Sequence, residues 1–475
     1  MKNRVTTLLK LLPVILIYSI VCTATEIPES TYFGEEPPGI IPKIFAPGII
    51  CLPDRQERSG VYSPDGQEFF LTTTYMTTTY AQRSEDGSWT SLRGLSFAPS
   101  CAEPYISPDG QRFFCNRNGD IYMSERVNNQ WSQATRLAYP ISSGSDEYFP
   151  CPIADGTLYF CSTRPGAPGG TAIYRSRPAA GEYRTVEQLP SPINTSNGAW
   201  DAMVAPDESY MIVAVGRSEY GQADLFISFR NEDDSWTVPR NLGPQINTSL
   251  IEYGPHLSPD KKYFFFTRLA GWRSTDQADI YWVDARAVLP DPNGPIENLS
   301  SGIRFSSIKC AVNYANDGDK IVIGPGIYQE SIDLTGKTIS LQSVDPNDPF
   351  YVGGTIIQGS TDSPVVTLQD NSETCEIAGM TIRTGSIGIK GTETNATIRN
   401  CRIMDNATHG LELSEGSSPN LKHCLITSNG QTGITMHAGS GRSKCEPIIE
   451  NCIIVYNGQQ AIDGGEPVIV DSIID

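Results

Sequence analysis

The tetrapeptide SPDG stands at residues 63–66 and again at 107–110, and three related turns follow: ADG at 154–156, APD at 205–207 and SPD at 258–260. Their aspartates lie 44 to 53 residues apart, at Asp65, Asp109, Asp155, Asp207 and Asp260. Apolar runs flank each turn, so each repeat supplies short strands on both sides of it. A period of this length is typical of one four-stranded propeller blade. The sequence therefore predicts an all-β domain over residues 31–285, a β-propeller with five blades or, alternatively, six.

The last of these repeats lacks the outer-strand segment that follows the third strand in the others. The N-terminal region supplies a match, because Pro42, Phe45 and Ile49 reproduce the spacing of Pro239, Leu242 and Ile246. A propeller must join its last blade to its first, and a strand borrowed from the other terminus removes the exposed edge. We therefore predict that residues 40–50 close the propeller.

Three repeats also carry an aspartate, an apolar residue and an aromatic residue in succession, at 120–122, 224–226 and 279–281. With the turns, these triplets resemble the SPDG-type propeller repeats of the Tol-system periplasmic propeller and its relatives in exported bacterial proteins. The resemblance implies a scaffold that binds a protein or a glycan, and it implies no particular reaction.

Each repeat has an acidic residue six or eight positions before its turn aspartate: Glu57, Glu103, Glu147, Asp201 and Glu252. Even offsets share one side of an extended strand, so these acids predict a ring at the axial channel that could hold a ligand or a cation such as calcium. The alternative is ion pairing between blades with arginines near the end of the second strand, Arg117, Arg164, Arg217 and Arg268. We favour pairing, because half-buried charges usually persist only when paired, and we predict neither a metal site nor a cofactor.

A different repeat follows a linker predicted at residues 286–302. Met380, Cys401, Cys424 and Cys452 each precede an isoleucine by two residues, at intervals of 21 to 28, and asparagines follow the last three by five. Such a period predicts a parallel β-helix over residues 303–475. A helix over 306–316, capped by Ser306 or Ser307 and ended by Gly318, would cover its first coil. Stacked cysteines point the same way, so we expect buried thiols rather than disulfides.

With the GPGIY turn at 324–328 and the DPNDP loop at 345–349, this part resembles the right-handed parallel β-helix repeats of the pectate-lyase-like superfamily. The resemblance implies polysaccharide lyase or glycoside hydrolase activity, which needs paired carboxylates or a base with a cation. The nearest candidates, Asp405 and His409, have no second acid one coil away, and we interpret them as a turn aspartate and a solvated histidine. Prolines interrupt the DPNDP loop, which predicts a rigid turn rather than a calcium loop.

The first residues have the pattern of a secretory signal. Lys2, Arg4 and Lys10 precede an apolar stretch over 11–21, and small residues at 23–24 allow cleavage after Ala24. The apolar stretch is too short to span a bilayer, so residues 1–24 predict export and no membrane span in the mature chain. The expected location is the periplasm, the cell surface or the extracellular space.

The net charge limits the class of binding partner, and the cysteine count limits disulfide pairing within the chain. The formal net charge of −19 becomes −22 without residues 1–24, which argues against nucleic acid and is compatible with a glycan or an envelope protein. Eleven of the twelve cysteines would remain, an odd number, so at least one has no partner within the chain.

Residues 467–475 repeat the pattern of 447–455, with Ser472 in the cysteine position and Ile474 in the isoleucine position. We therefore expect the sequence to stop within a coil, either as part of a longer protein or paired with another chain. The hypothesis is an exported non-catalytic binding or structural protein of the cell envelope or extracellular space. The alternatives are a carbohydrate-active enzyme acting through the β-helix groove and a partner-binding periplasmic propeller.

Overall fold

The computed structural model describes residues 32–475 except 74–75, 217–220, 232, 274–275, 292 and 439–443. The predicted signal at 1–24 and Arg217 lie outside the described residues. Within them, two α-helices accompany 45 strands, as predicted for an all-β chain. None of the described helices is long and apolar enough to cross a membrane.

Five four-stranded antiparallel sheets follow one another in the first part of the described chain, and a parallel bridge between Ala223 and Ile251 joins the fourth and fifth into one eight-stranded sheet. The outer strand of the fifth sheet is the first in the chain, β1 (Lys43–Ile44). The first sheet is β2 (Glu57–Tyr62), β3 (Glu68–Thr73), β4 (Thr77–Gln82) and β5 (Arg93–Gly94). The second is β6 (Ala102–Ile106), β7 (Arg112–Arg117), β8 (Asp120–Val127) and β10 (Thr135–Arg136), with β9 (Gln130–Trp131) pairing antiparallel with the end of β8. The third is β11 (Glu147–Pro152), β12 (Leu158–Ser162), β13 (Ala172–Ser176) and β16 (Glu187–Gln188), beside a hairpin of β14 (Pro178–Ala179) and β15 (Glu182–Tyr183). The fourth is β17 (Ala199–Val204), β18 (Tyr210–Gly216), β19 (Ala223–Phe229) and β20 (Arg240–Asn241), and the fifth is β21 (Ile251–Leu257), β22 (Tyr263–Leu269), β23 (Ala278–Asp284) and β1.

The acidic turns join the first and second strands of their sheets. In the turn at 63–66, Ser63 Oγ donates to Asp65 Oδ1 at 2.6 Å, and Asp65 Oδ1 accepts from Gln67 N at 3.1 Å. Ser63 Oγ also accepts from Glu68 N at 2.9 Å. The serine and aspartate thus satisfy backbone donors that the turn leaves free, which explains why this pair recurs.

The propeller is closed by β1, as predicted. Lys43 pairs with Trp282 and Ile44 with Tyr281, and Phe45 N donates to Ile280 O at 2.8 Å. One detail of the prediction is wrong, because Ile49 is 53% exposed and its neighbour Ile50 is buried. The backbone turns back after Phe45, with Ile50 N donating to Ala46 O at 2.8 Å, and this shifts the buried position by one residue.

The second part of the described chain winds through three sheets of stacked strands. The first sheet is β25 (Ile303–Phe305), β24 (Ile296–Asn298), β26 (Lys320–Ile323), β29 (Ser340–Ser343), β32 (Glu376–Ala378), β35 (Thr397–Arg399), β38 (Asn420–Lys422), β41 (Ile448–Glu450) and β44 (Val468–Val470). The second is β27 (Gly326–Tyr328), β30 (Thr355–Gln358), β33 (Thr381–Arg383), β36 (Arg402–Met404), β39 (Leu425–Thr427), β42 (Ile453–Val455) and β45 (Ile473–Ile474). The third is β28 (Ile332–Asp333), β31 (Val366–Gln369), β34 (Ile387–Thr392), β37 (His409–Ser414), β40 (Ile434–Met436) and β43 (Ile462–Asp463). Strand β24 lies inside the segment predicted as a linker, and it already pairs with β26 of the β-helix.

The predicted stacking register is confirmed. Ile382, Ile403, Ile426 and Ile454 are consecutive partners across parallel strands. The asparagines form a ladder, buried at Asn406 and Asn429, in which Asn406 Nδ2 donates to Asn429 Oδ1 and Asn429 Nδ2 to Asn457 Oδ1, both at 2.9 Å. The side-chain amide of one coil therefore donates a hydrogen bond to the asparagine of the next coil.

The two helices cap and flank the β-helix. Helix α1 (Ile308–Tyr314) has Ser307 as its N-cap, and the Glu330 carboxylate accepts from Ser307 Oγ, Ile308 N and Lys309 N. It ends at Tyr314, four residues before Gly318, so the predicted end is wrong. Helix α2 (Pro349–Gly354) begins at the last residue of the DPNDP loop, where Asp348 caps it and Asp345 accepts from Asn347 N at 3.0 Å.

Helix α1 also packs against the fourth propeller sheet. The Tyr314 ring lies 5.1 Å from the Phe229 ring, and the Arg240 guanidinium lies 4.3 Å above Tyr314. These contacts join the two parts of the chain through one continuous apolar core.

The cysteine ladder gives a first testable prediction. Cys401, Cys424 and Cys452 are unpaired thiols that are at most 2% exposed. We expect iodoacetamide to leave all three unmodified in the native protein and to alkylate them after denaturation, because stacked coils exclude the reagent. Peptide mass mapping of both samples measures this. Alkylation of the three in the native state would contradict the inward orientation.

Candidate binding site at the mouth of the propeller channel

A β-bulge interrupts the innermost strand of every propeller sheet. The pairing register shifts after Glu57 in β2, Ala102 in β6, Tyr148 in β11, Trp200 in β17 and Tyr253 in β21. In the last four sheets the bulge residue, six positions before the turn aspartate, has positive φ: Glu103 51°, Phe149 48°, Asp201 48° and Gly254 62°. The prediction that all five acids share one side is therefore wrong, because a bulge breaks the alternation on which it relied.

Acids eight positions before the turn aspartate pair with arginine. Glu147 lies 3.2 Å from Arg164 Nε, and Glu252 lies 2.8 Å from Arg268 Nε. Both carboxylates are fully buried. Arg268 lies in the strand next to that of Glu252, and Arg164 lies two residues beyond the strand next to that of Glu147. The pairs therefore stabilise individual blades and do not join neighbouring blades as we predicted.

Glu57 and Arg117 do not follow this pairing. Glu57 pairs with Arg55 at 2.6 Å, a partner that the repeat pattern does not contain. The Arg117 guanidinium lies 3.9 Å above the Tyr122 ring and donates to Pro99 O at 3.3 Å, and it forms no ion pair with a described carboxylate. Arg217 lies outside the described residues.

Glu103 and Asp201, the acids at the bulges, line a cavity of about 300 Å³ at one mouth of the axial channel. Two residues of the loops between the second and third strands, Met76 and Trp272, complete its rim. The remaining lining residues all stand seven positions before a turn aspartate, beside the bulge: Arg58, Tyr148, Trp200 and Tyr253. This recurrent position is a signal that the sequence contains and that we did not use.

The negative charge of the two acids that line this cavity is nearly balanced by the positive charge of its one arginine. Glu103 Oε2 accepts from Phe149 N at 2.9 Å and from Asn116 Nδ2 at 3.0 Å, and burial raises the pKa of Glu103 to about 7. Burial, followed by repulsion from Glu103, raises the pKa of Asp201 well above its usual range. Near neutral pH the two acids therefore carry fewer than two negative charges, and the Arg58 guanidinium offsets part of the remainder.

Aromatic faces and polar atoms without partners share the cavity wall. The Tyr253 and Trp272 rings lie 6.2 Å apart, and Trp272 is 55% exposed. Within the described residues, the Tyr253 hydroxyl and Arg58 Nε have no hydrogen-bond partner. Buried polar groups normally have one, and these two atoms belong to residues that line the cavity.

Deeper in the channel, His256 is buried between aromatic rings. Its ring lies 5.1 Å from Tyr105 and 5.4 Å from Phe149, and Nε2 lies 3.4 Å from Ser59 Oγ. Burial lowers the pKa of His256 to about 3, so the imidazole is neutral. This apolar layer separates the acidic mouth from the opposite one, where the turns lie.

The β-helix candidates do not form a comparable site. Asp405 is exposed in a turn with φ of 55°, and His409 opens β37, where its Nδ1 accepts from Thr432 N at 3.4 Å. Burial lowers the pKa of His409. No hydrogen bond among the described residues joins Asp405 to His409.

Comparison with known proteins gives one family match, in the second part of the chain. Residues 333–468 match the family described as right handed beta helix region. No curated protein matches the sequence. Solved structures similar to this chain include a putative TolB from Agrobacterium tumefaciens, at 15% identity and a TM-score of 0.34 over 48% of this chain and 77% of that one. They also include a putative 6-phosphogluconolactonase from Bacteroides uniformis, at 15% identity and a TM-score of 0.28 over 46% of this chain and 67% of that one. The chain is a repeat protein in which a β-propeller precedes a right-handed parallel β-helix.

Proposed function

We propose that this chain is an exported, non-catalytic protein that binds a neutral glycan at the channel mouth of its propeller. The observation that carries the proposal is the composition of that cavity. Tryptophan and tyrosine rings surround two acids and one arginine whose charges largely cancel, and two polar atoms are left without protein partners.

A sugar matches this wall chemically. Its ring presents C–H groups that pack on aromatic faces such as those of Trp200 and Trp272, and its hydroxyls both donate and accept hydrogen bonds. A carboxyl, a guanidinium and a phenol supply the complementary groups. The volume of about 300 Å³ is at the small end for ligand cavities, which favours a terminal sugar unit over an internal stretch of polymer.

Export is supported by three features. The first 24 residues have the pattern of a secretory signal, and the chain is strongly acidic. Cys101 and Cys115 form a disulfide with a Cα separation of 5.7 Å, a bond that persists in oxidising compartments. The β-helix, with its apolar and asparagine ladders, then serves as a structural element that presents the propeller.

Replacing Trp272 by Ala tests the proposal. We expect affinity for the preferred glycan to fall at least tenfold, equivalent to about 1.4 kcal/mol, because the exposed ring stacks on the sugar. A glycan array with the full chain identifies the ligand, and calorimetric titration measures the affinity. Tyr456→Ala is the matched control, because Tyr456 is an 81% exposed aromatic residue on the β-helix.

Three results would contradict the proposal. The first is the absence of glycan binding by the wild-type protein. The second is an equal loss of affinity in Trp272→Ala and Tyr456→Ala. The third is release of reducing ends or unsaturated sugars on prolonged incubation, which would show that the bound glycan is cleaved.

A further inference from the structure

The junction between the last and first propeller blades gathers three potential metal ligands. Cys51 Sγ, a Glu57 carboxylate oxygen and an Asp279 carboxylate oxygen all lie within 4.8 Å of one another. Cys51 follows the closing segment, Glu57 begins β2 and Asp279 lies in β23. Cys51 and Glu57 are buried and Asp279 is partly exposed, which leaves an approach from solvent.

Glu57 lacks the hydrogen-bond donors that its equivalents have. Four residues before Glu147 and Glu252 stand Ser143 and Thr248, and each donates both its N–H and its hydroxyl to the carboxylate that follows. The equivalent residue before Glu57 is Pro53, which has neither donor. Within the described chain, Oε2 of the fully buried Glu57 side chain has no hydrogen-bond partner. Such an oxygen is costly to bury, and a bound cation would satisfy it.

Asp279 has also lost the donor that its equivalents receive from the outer strand. Arg136 of β10 donates to Asp120, and Asn241 of β20 donates to Asp224. In the last blade the outer strand is β1, and Ile44 occupies that position. Asp279 keeps only Gln277 Nε2, at 3.1 Å from each oxygen, among its described side-chain donors.

Cys51 is the third departure from the repeat. Six residues before Glu147 and Glu252 the chain has Ile141 and Ile246, and six residues before Glu57 it has Cys51. This junction thus lacks three donor groups, two to Glu57 and one to Asp279, and has gained a thiol beside the two carboxylates. A thiol and a carboxylate oxygen are ligands that zinc takes together.

We propose that Cys51, Glu57 and Asp279 bind one Zn²⁺ ion that fastens the closing segment and the last blade to the first. Bonds of about 2.0–2.3 Å place tetrahedral ligands about 3.5 Å apart, so the three atoms need to approach by only about 1 Å. Arg55 Nε, which donates to Glu57 Oε1 at 2.6 Å, orients that carboxylate and leaves Oε2 to the metal. A thiolate ligand selects zinc over calcium, which takes oxygen ligands.

The test uses the full chain, treated with chelator and handled without oxygen, so that free thiols stay reduced and the Cys101–Cys115 disulfide stays intact. Equilibrium dialysis against Zn²⁺ should give one tightly bound ion per chain, and Co²⁺ should give a thiolate-to-metal absorption band in the near ultraviolet. Both signals should be lost in Cys51→Ala. Cys310→Ala is the matched control, because it removes a buried thiol that bonds Leu289 O and lies away from these carboxylates. It should retain both.

A second variant keeps all three ligands in place. Pro53→Ser restores the donor pair found before Glu147 and Glu252, so it should weaken Zn²⁺ binding at least tenfold without unfolding the propeller. The proposal is overturned if the wild-type protein binds no Zn²⁺, if Cys51→Ala binds as much as Cys310→Ala, or if folded Pro53→Ser binds as tightly as wild type. Glycan binding at the channel mouth is a separate measurement and does not depend on this result.

Discussion

Deletion of residues 40–50 is expected to prevent the propeller from closing and to make the protein aggregate. The deletion removes β1, which leaves β23 with an unpaired edge. It also removes Phe45, whose fully buried ring lies 5.0 Å from Phe265 and 5.1 Å from Trp282. Loss of the Phe45 side chain alone should cost about 3–5 kcal/mol. Light scattering and thermal unfolding of the truncated chain measure the effect.

Point variants distinguish the loss of the buried Phe45 contacts from the effect of shortening the chain. Phe45→Ala should lower the free energy of unfolding of the propeller by about 3–5 kcal/mol. Ile49→Ala, four residues later and exposed, should change it by no more than about 0.5 kcal/mol. A truncated chain that remains monomeric with an unchanged melting temperature would show that β1 does not close the propeller.

Replacement of Arg268 by Met is expected to destabilise the propeller by about 3–5 kcal/mol. Arg268 Nε lies 2.8 Å from Glu252, its Nη2 donates to Ile246 O at 2.9 Å, and its guanidinium lies 4.3 Å above the Tyr281 ring. Without Arg268 the fully buried Glu252 carboxylate keeps only its bonds from Thr248. Burial already raises the pKa of Glu252, so the unpaired carboxylate is expected to take up a proton when the arginine is absent.

Chemical denaturation of three further variants identifies the cause. Arg117→Met changes the equivalent arginine of the second sheet, which has no carboxylate partner among the described residues, and should cost much less. Arg268→Met combined with Glu252→Gln removes both charges and should recover part of the lost stability. Arg136→Met removes an exposed pair with Asp120 and should cost about 1 kcal/mol or less. Equal costs for Arg268→Met and Arg117→Met would contradict a role for the buried ion pair.

Much of the fold could be predicted because repetition amplifies weak local signals. The five acidic turns set the length of a blade, and the isoleucine and asparagine ladders set the register of the β-helix. The closing strand was also predictable, because Pro42 and Phe45 match Pro239 and Leu242. The end of α1 at Tyr314 was missed, because the backbone becomes extended at Ala315, with ψ of 140°, before the glycine signal.

The candidate site was harder to predict, because a bulge changes side-chain direction without changing sequence spacing. Glu103 and Glu147 look equivalent as acids near a turn, yet their offsets from the turn aspartate differ by two residues, and the bulge lies between those offsets. One residue therefore faces the channel and the other faces an arginine. Trp272 and Met76 come from loops with no repeat signal, so only the three-dimensional structure brings them to the cavity.

The position of β1 at the start of the described chain also means that it is synthesised long before β23, the strand with which it pairs. Lys43 pairs with Trp282, so the segment that completes the last blade leaves the ribosome long before its partner strand exists. Until then the growing propeller is an open array, and closing it requires a contact between residues 239 positions apart. Contacts of such high sequence separation slow folding. Coils of the β-helix pair with neighbours 20 to 36 residues away and can add one at a time. Ring closure is therefore expected to be the slow step in the maturation of this chain, and chaperones that protect unpaired strand edges would act before it.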